Sequence, residues 1–304
     1  MDRKPATTEE TDTNYEPEEG TPHLSETRRV LRIFLGRKLA VIGFSLILIL
    51  VITAIFANFI APYDPIKMDP AHGLEHPSRV HLLGTDMIGR DTLSRIIFGT
   101  RTSLMVGIWA TIASVVIGQG LGLIAAYTGG ITYTIIMRFI DALMSIPMIL
   151  MALLIASTIG GGLKNIIIAL GVTMIGGQCR MMCGQALTIR ENDYIVAGRS
   201  IGASSVRMML RHIYPNAFAP LLVMTSIQMG GCILAEAGLS YLGIGVNPPQ
   251  PAWGGMVNEG YKYLLTNPEL SFAPGLCIAL VVFGFNMMGD GLRDALDPRL
   301  RGTI

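Results

Sequence analysis

Apolar residues in this chain arrive in blocks of about 20 or more, the length a helix needs to cross the hydrocarbon core of a bilayer. Six blocks are read: 39–60, 103–127, 135–159, 165–187, 217–239 and 272–289. Inside lipid every backbone amide needs an internal partner, so runs of this length are predicted as helices. The expectation is an all-α membrane protein with six transmembrane helices. Composition supports it. The chain is 51% apolar and only 15% charged, too little charge to clothe a soluble domain of this size. A net charge of +1 gives no footing for nucleic acid, so lipid is the expected surround. Cys179, Cys183, Cys232 and Cys277 all fall inside apolar blocks and read as small buried hydrophobes, not as a disulfide framework.

Three regions are expected. Residues 1–35 read as a disordered cytoplasmic tail, because the first 25 or so are polar, acidic and rich in Thr, Glu and Pro. No cleavable signal peptide is read there. Residues 36–102 hold the first span and a long extracytoplasmic loop, and residues 103–304 hold a five-helix core. Arg28, Arg29, Arg32, Arg37 and Lys38 crowd the entry to the first span and place the N-terminus in the cytoplasm. An even number of spans returns the C-terminus to the same side, where Arg293, Arg299 and Arg301 agree. Lys67, Arg79, Arg90, Arg95 and Arg101 in the first outer loop oppose this orientation, since the rule counts basic residues and not net charge. Within that loop, 91–98 is predicted as a separate interfacial helix with an Asp91–Arg95 pair. Trp253, in the Pro- and Gly-rich second outer loop, is expected at the membrane–water boundary.

Between the fourth and fifth blocks lies DYIVAGRSIGASSVRMMLRHIYPNAFAP, Asp193 to Pro220. It is polar and arginine-bearing where its neighbours are apolar, and it reads as helix, elbow, helix. Gly202, Ala203 and Ser204 form the elbow, with Ser204 placed to cap the second helix. Val206, Met209, Leu210 and Ile213 mark one apolar face at helical spacing. Arg207 and Arg211 share another face, where their mutual repulsion points to anionic headgroups or an acidic partner surface nearby. Pro215, which lacks a donor, suits a turn into the fifth span.

Other polar groups carry two readings each. Arg138 and Asp141 sit near the inner end of the third span, as a helix lock or a functional ion site. Asn286, Asp290, Arg293 and Asp294 crowd the inner end of the sixth span and suggest an intersubunit network or an ATPase contact rather than a substrate site. Gln178, Gln228 and Glu236 are expected to bond between helices. His72, His76 and His81, with Met68 nearby, offer metal-ligand chemistry but no fixed geometry, so no metal site is assigned. Gly118 and Gly122 suit tight packing of the second span. No nucleophile–base set appears, so no catalytic residue is named.

Five stretches carry a family resemblance: HLLGTDMIGRDTLSRIIFGTRTSL (81–104), MRFIDALMSIP (137–147), GASSVRMMLRHIYPNAFAPLL, EAGLSYLGIGVNPPQPAWGGMV (236–257) and FNMMGDGLRDALDPRLR (285–301). Together they resemble permease subunits of the oligopeptide, dipeptide and nickel ATP-binding-cassette importers, over roughly 32–301. In that family Gly202 and Pro215, thirteen residues apart, fall in a cytoplasmic coupling loop, here 190–215. The resemblance implies a type I importer permease fold. It implies that Ala197, Gly198, Gly202, Ala203, Ser204, Arg207, Arg211 and Pro215 couple the chain to an ATPase. Val196, Ala197 and Gly198 stand where the family has Glu-Ala-Ala, so the acidic contact is missing, and His212 and Tyr214 replace common apolar residues. The implied partners are a second homologous permease, two cytoplasmic ATPase subunits and an extracytoplasmic solute-binding protein. The chain lacks a G-x-x-x-x-G-K-S/T phosphate loop, so ATP is expected on the partners and no cofactor on this chain. The implied setting is the bacterial inner membrane, with peptides as cargo and substrate-binding residues unassigned. The alternatives are a nickel or metal-chelate importer permease, and a stand-alone secondary transporter or channel.

Overall fold

The computed structural model describes residues 26–296, which are helical apart from loops and one isolated bridge between Thr85 and Asp91. The first helix, α1 (Glu26–Gly36), corrects the expectation of disorder for its last part, 26–35. Ile33 is buried, and Phe34 lies against Gly291 and edge-on to Phe44, so this segment has apolar surface to bury. Residues 1–25 lie outside the described residues, as do Arg299 and Arg301. The first span is α2 (Lys38–Ile55), followed by a short turn of helix, α3 (Ala57–Ile60).

The second span differs most from expectation. Residues 91–98 and 103–127 are one 37-residue helix, α4 (Thr92–Thr128), so the boundary placed at 102/103 falls inside an element. Arg101 is the reason a charge is tolerated there. Its Nε donates to the Ala54 carbonyl (2.9 Å) and its Nη2 to the Ile55 carbonyl (3.3 Å), closing the free end of α2. The helix starts where Asp91 caps it, its carboxylate accepting from Ser94 N at 2.8 Å.

The third block is two helices, α5 (Gly130–Met144) and α6 (Met148–Ile159), bent by 87°. Pro147 breaks them, because it has no amide hydrogen and pushes Ile146 away from helical geometry. The remaining spans are α7 (Leu163–Arg190), a helix running through Ser205–Tyr241, and α12 (Glu269–Leu296). Among the described residues five helices are long and apolar enough to cross a membrane, and the bent pair is long and apolar enough for a sixth if its two halves form one span.

The core centres on α4 against α7. A side chain at Gly122 would run into the Cys179 carbonyl, and one at Gly118 into the Ile175 carbonyl (2.6 Å), so the two backbones touch. The four cysteines are unpaired thiols, three of them fully buried, as the apolar setting requires. This pair of helices gives the molecule two ends. One carries the 61–91 loop and the short helix α11 (Trp253–Tyr261); the other carries the elbow segment. They are called the loop end and the elbow end below.

Candidate coupling site

At the elbow end, α8 (Asp193–Ser200) leaves α7 and stops in a paired hydrogen-bond closure. Gly202 N donates to Arg199 O (3.0 Å) and Ala203 N to Gly198 O (3.1 Å), with Gly202 at φ +82°. That is the six-to-one and five-to-two pattern in which glycine reverses a helix end. The elbow is therefore conformational. Nothing lies within 4 Å of where a Gly202 side chain would start, so the residue is needed for its dihedral and not for close approach. Close approach occurs instead at Gly198, where a side chain would meet Met208 Cε at 2.9 Å. Gly198 thus lets α8 fold back on the following turn.

That turn is not α-helical. After α9 (Ser205–Arg207), Met208–Ile213 form a π-helix, with Tyr214 N donating to Met209 O five residues back. The chain then runs into α10 (Tyr214–Tyr241) without a break, so Pro215 does not make the expected turn. The wider register also changes which residues face inward. Met208 and Ile213, five apart, are buried, whereas Val206 and Leu210 are about 60% exposed. The apolar face expected from 3.6-residue spacing is split for this reason. Ser204 occupies the cap position of α9 but makes no side-chain cap bond.

The assigned coupling residues come together on this one surface. Ala197, Gly202, Ser204, Arg207, Arg211 and Pro215 are exposed, while Gly198 and Ala203 are half-buried against the core. Neither Arg207 nor Arg211 forms an ion pair among the described residues. Ile201, 86% exposed, was missed by the sequence reading; with Val206 and Leu210 it leaves three uncovered apolar side chains in the segment that carries the two arginines. A helix-end residue carries no periodicity, so no pattern flagged it.

The segment is fastened to the bundle at several points. The Arg199 guanidinium sits 4.6 Å over the Tyr127 ring at the end of α4. Arg190 Nη1 donates to the Ala126 carbonyl at 2.7 Å. Tyr214, one of the residues that departs from the family pattern, begins a polar chain into the core. Its hydroxyl donates to Gln119 (2.9 Å), Gln119 to Gln178 (2.8 Å), and Gln178 to Gln228 (2.6 Å) and Thr225 (3.2 Å). Gln178 and Gln228 do bond between helices, as expected, and so does Glu236, which accepts from Ser103 (3.2 Å) and Ser240 (2.7 Å). Asp141 pairs with Arg180 of α7 (2.6 Å) and not with Arg138. At the far end of α12, Asp294 pairs with Arg37 of this same chain at 3.4 Å.

The loop end is built differently. Asp86 accepts from Arg90 Nε (2.6 Å) and from Arg95 Nη1, and Glu259 accepts from Arg90 (3.1 Å) and Arg95 (3.2 Å). Arg95 thus reaches across the loop, and the expected Asp91–Arg95 pair is replaced by Asp91 with His81 (2.9 Å). The histidines stay apart: His72 bonds Asp69 (3.0 Å) and His76 faces Glu269 (3.6 Å). The Asp69 carboxylate raises the His72 ring above its usual value. Among the described residues no three His, Cys, Asp or Glu side chains are grouped to hold a metal. Trp253 is fully buried, its Nε1 donating to the Ile96 carbonyl (3.0 Å), so its ring packs on protein and is not presented to lipid headgroups.

Residues 118–302 match the family model described as "Binding-protein-dependent transport system inner membrane component", and residues 25–77 match the "N-terminal TM domain of oligopeptide transport permease C". The chain is 39% identical over 275 residues to the glutathione transport system permease protein GsiD of Pectobacterium atrosepticum, covering 90% of this chain and 91% of that protein. It is 36% identical over 285 residues to the dipeptide transport system permease protein DppC of Alkalihalophilus pseudofirmus, covering 94% of each. Among solved structures it is similar to a chain of the inward-facing MetNI methionine ABC transporter, with a TM-score of 0.56, 20% identity, and coverage of 67% of this chain and 97% of that one.

Proposed function

The chain belongs to the family of binding-protein-dependent transport system inner membrane components and is a permease subunit of an ABC importer; from that premise we propose that its cargo is a short peptide, di- or oligopeptide in length. The peptide assignment rests on the relatives, which are named for dipeptide and glutathione transport. The nickel alternative gains nothing from the three histidines, which each face a different acid.

The mechanism follows from the elbow. Two cytoplasmic ATPase subunits bind and hydrolyse ATP, and one of them seats against Ile201, Val206 and Leu210, with Arg207 and Arg211 meeting acidic side chains. Both termini of this chain then lie in the cytoplasm. The observation that carries this reading is a set of exposed apolar side chains with two arginines that form no ion pair among the described residues, set on the end of a helix that runs unbroken from Ser205 to Tyr241. A push there is passed to the full length of that helix, because a hydrogen-bonded rod moves as a unit. The polar chain from Tyr214 through Gln119 and Gln178 to Gln228 couples the same motion to α4 and α7.

A second, homologous permease completes the path, and an extracytoplasmic solute-binding protein delivers cargo at the loop end. The Asp141–Arg180 pair supports the second permease. Both side chains are nearly half exposed on membrane-spanning helices. Charges in that position cost several kcal/mol against lipid, about 2.5–3.5 each at the bilayer centre, so this face turns toward protein or a water-filled path.

The test is Ile201→Asp combined with Leu210→Asp. Co-purification of the ATPase subunits should fall at least tenfold, and peptide uptake with it. Full assembly and uptake by the double variant count against the assignment. Peptide accumulation by this chain reconstituted alone in vesicles supports the stand-alone transporter instead.

A further inference from the structure

The loop end encloses a cavity of about 500 Å³, and the ring on its wall, Asp86, Arg90, Arg95 and Glu259, pairs its charges with one another. A second charged group is not closed in this way. It lies where α5 meets α7, helices packed so closely that a side chain at Gly176 would meet Met144 Sδ at 2.8 Å. Asp141 and Arg180 pair there at 2.6 Å. Arg138, one turn along α5, is exposed and in no ion pair among the described residues. Two guanidiniums against one carboxylate leave a net positive charge. Arg180 uses only Nη2 on Asp141, and its other donors have no partner among the described residues. Arg180 is ten residues from the end of α7 at Arg190, and Asp141 is eleven from the start of α5 at Gly130. At 1.5 Å per residue both lie about 15 Å from the elbow end, near the middle of a hydrocarbon core about 30 Å thick.

The surroundings separate this face from lipid. On α5, Ile131, Ile135 and Phe139 are 79%, 64% and 60% exposed and follow one stripe at helical spacing, as lipid-facing residues do. Thr134, Arg138, Asp141 and Ser145 follow a second stripe, about a quarter of a turn away at 100° per residue. From Arg180 to the elbow end, α7 exposes only Arg180, Gly184 and Thr188, one face without a large apolar side chain. The hydroxyls of Thr134, Ser145 and Thr188 bond back to their own helices, so the need for a partner falls on the charges. Hydrocarbon does not meet that need. A packed protein helix uses small residues such as Gly184 but has to bring an acid to a net-positive site, whereas a water-filled path requires only polarity. Gln228 borders the same face, its Nε2 lying 2.8 Å from where a Gly177 side chain would start, so the polar chain from Tyr214 ends here. We propose that this α5–α7 face lines the cargo path, and that Arg138 and Arg180 form a mid-depth subsite for the C-terminal carboxylate of a peptide in transit. A planar guanidinium matches a carboxylate with two parallel bonds. Asp141 orients Arg180 and holds the net charge at one, which keeps the hold weak enough for release. Only the choice of a peptide as the carboxylate's carrier rests on the function proposed above.

The experiment is thiol labelling of the assembled transporter in vesicles, with reagent on both sides of the membrane. Gly184→Cys places a thiol one turn from Arg180, where nothing lies within 4 Å, and Phe139→Cys places one on the apolar stripe. Both are made with Cys277→Ala, since the other three cysteines are buried. The probes are two membrane-impermeant methanethiosulfonates, one carrying a sulfonate and one a trimethylammonium group. Gly184→Cys should react, and Phe139→Cys about a hundredfold more slowly, because a thiolate forms only in water. Relative to their rates with free cysteine, the sulfonate should be favoured about tenfold at Gly184→Cys, and Arg138→Gln should remove that preference. In uptake of the dipeptide Ala-Ala, Arg138→Glu, which turns the net charge negative, should lower the maximal rate about tenfold or more. An unreactive Gly184→Cys, the outcome if lipid or the second permease covers this face, overturns the path. A missing charge preference, one that survives Arg138→Gln, or unchanged uptake by Arg138→Glu overturns the subsite. Labelling needs no cargo. Labelling as expected without peptide uptake counts against the peptide-importer reading alone, and peptide uptake with Gly184→Cys unreactive counts against this face alone.

Discussion

At the loop end four charges, Asp86, Arg90, Arg95 and Glu259, satisfy one another across the 61–91 loop, α4 and α11. At the elbow end Arg207 and Arg211 form no ion pair among the described residues, and Ile201 and Leu210 are bare. The two ends are joined by the same close-packed helices, so the difference lies in what each leaves for another molecule. The loop end has closed its electrostatics internally and offers a walled volume. The elbow end has left both its charge and its apolar surface open, which is the condition of an interface before its partner arrives. Burial of a charge network and exposure of apolar side chains are both costly alone. Each persists where structure or partner compensates.

The contrast can be broken from either side, and the largest effect on stability is expected at the loop end. Asp86→Ala leaves two buried guanidiniums short of a carboxylate and should cost about 3–5 kcal/mol, read as a lowered midpoint in denaturation of the detergent-solubilised chain. A cost below about 1 kcal/mol would show that the ring is solvated and the contrast false. Next comes the rod between the ends: Gly122→Leu forces a side chain into the Cys179 carbonyl and should cost about 1–3 kcal/mol or more in the same assay. At the elbow, Gly202→Ala meets open space but a left-handed dihedral, so about 1–2 kcal/mol is expected, seen as faster amide exchange over 198–203. The smallest change in stability, within about 0.5 kcal/mol, belongs to the Ile201→Asp and Leu210→Asp pair, because both side chains touch solvent. That near-neutral fold combined with lost ATPase binding would sharpen the contrast most.

Much of this was legible in the sequence, and the misses have causes. The apolar blocks located the spans because desolvating a backbone leaves helix as the only economical choice. Gly202 marked the elbow because few other residues accept its dihedral. The third span was read as straight although Pro147 was in view, since a proline bends a helix by an amount that packing decides. Residues 91–98 were read as a separate interfacial helix, and only the free carbonyls of α2 show how the Arg101 charge is accommodated where they join the second span. The elbow's inner face was assigned at 3.6-residue spacing; a π-turn kept Ile213 inside but buried Met208 where Val206 and Leu210 were expected.

Local chemistry therefore fixed the class of the molecule: helices, their approximate ends, the glycine reversal and the membership that follows from the motifs. Partnership across distance was left to the tertiary structure. Arg95 found Glu259, Asp141 found Arg180, and Tyr214 found Gln119, in each case between groups far apart in the chain. A hydropathic block is a property of neighbours in sequence and survives any fold. An ion pair or a hydrogen bond is set by an ångström-scale meeting of side chains, which exists only once the helices have packed.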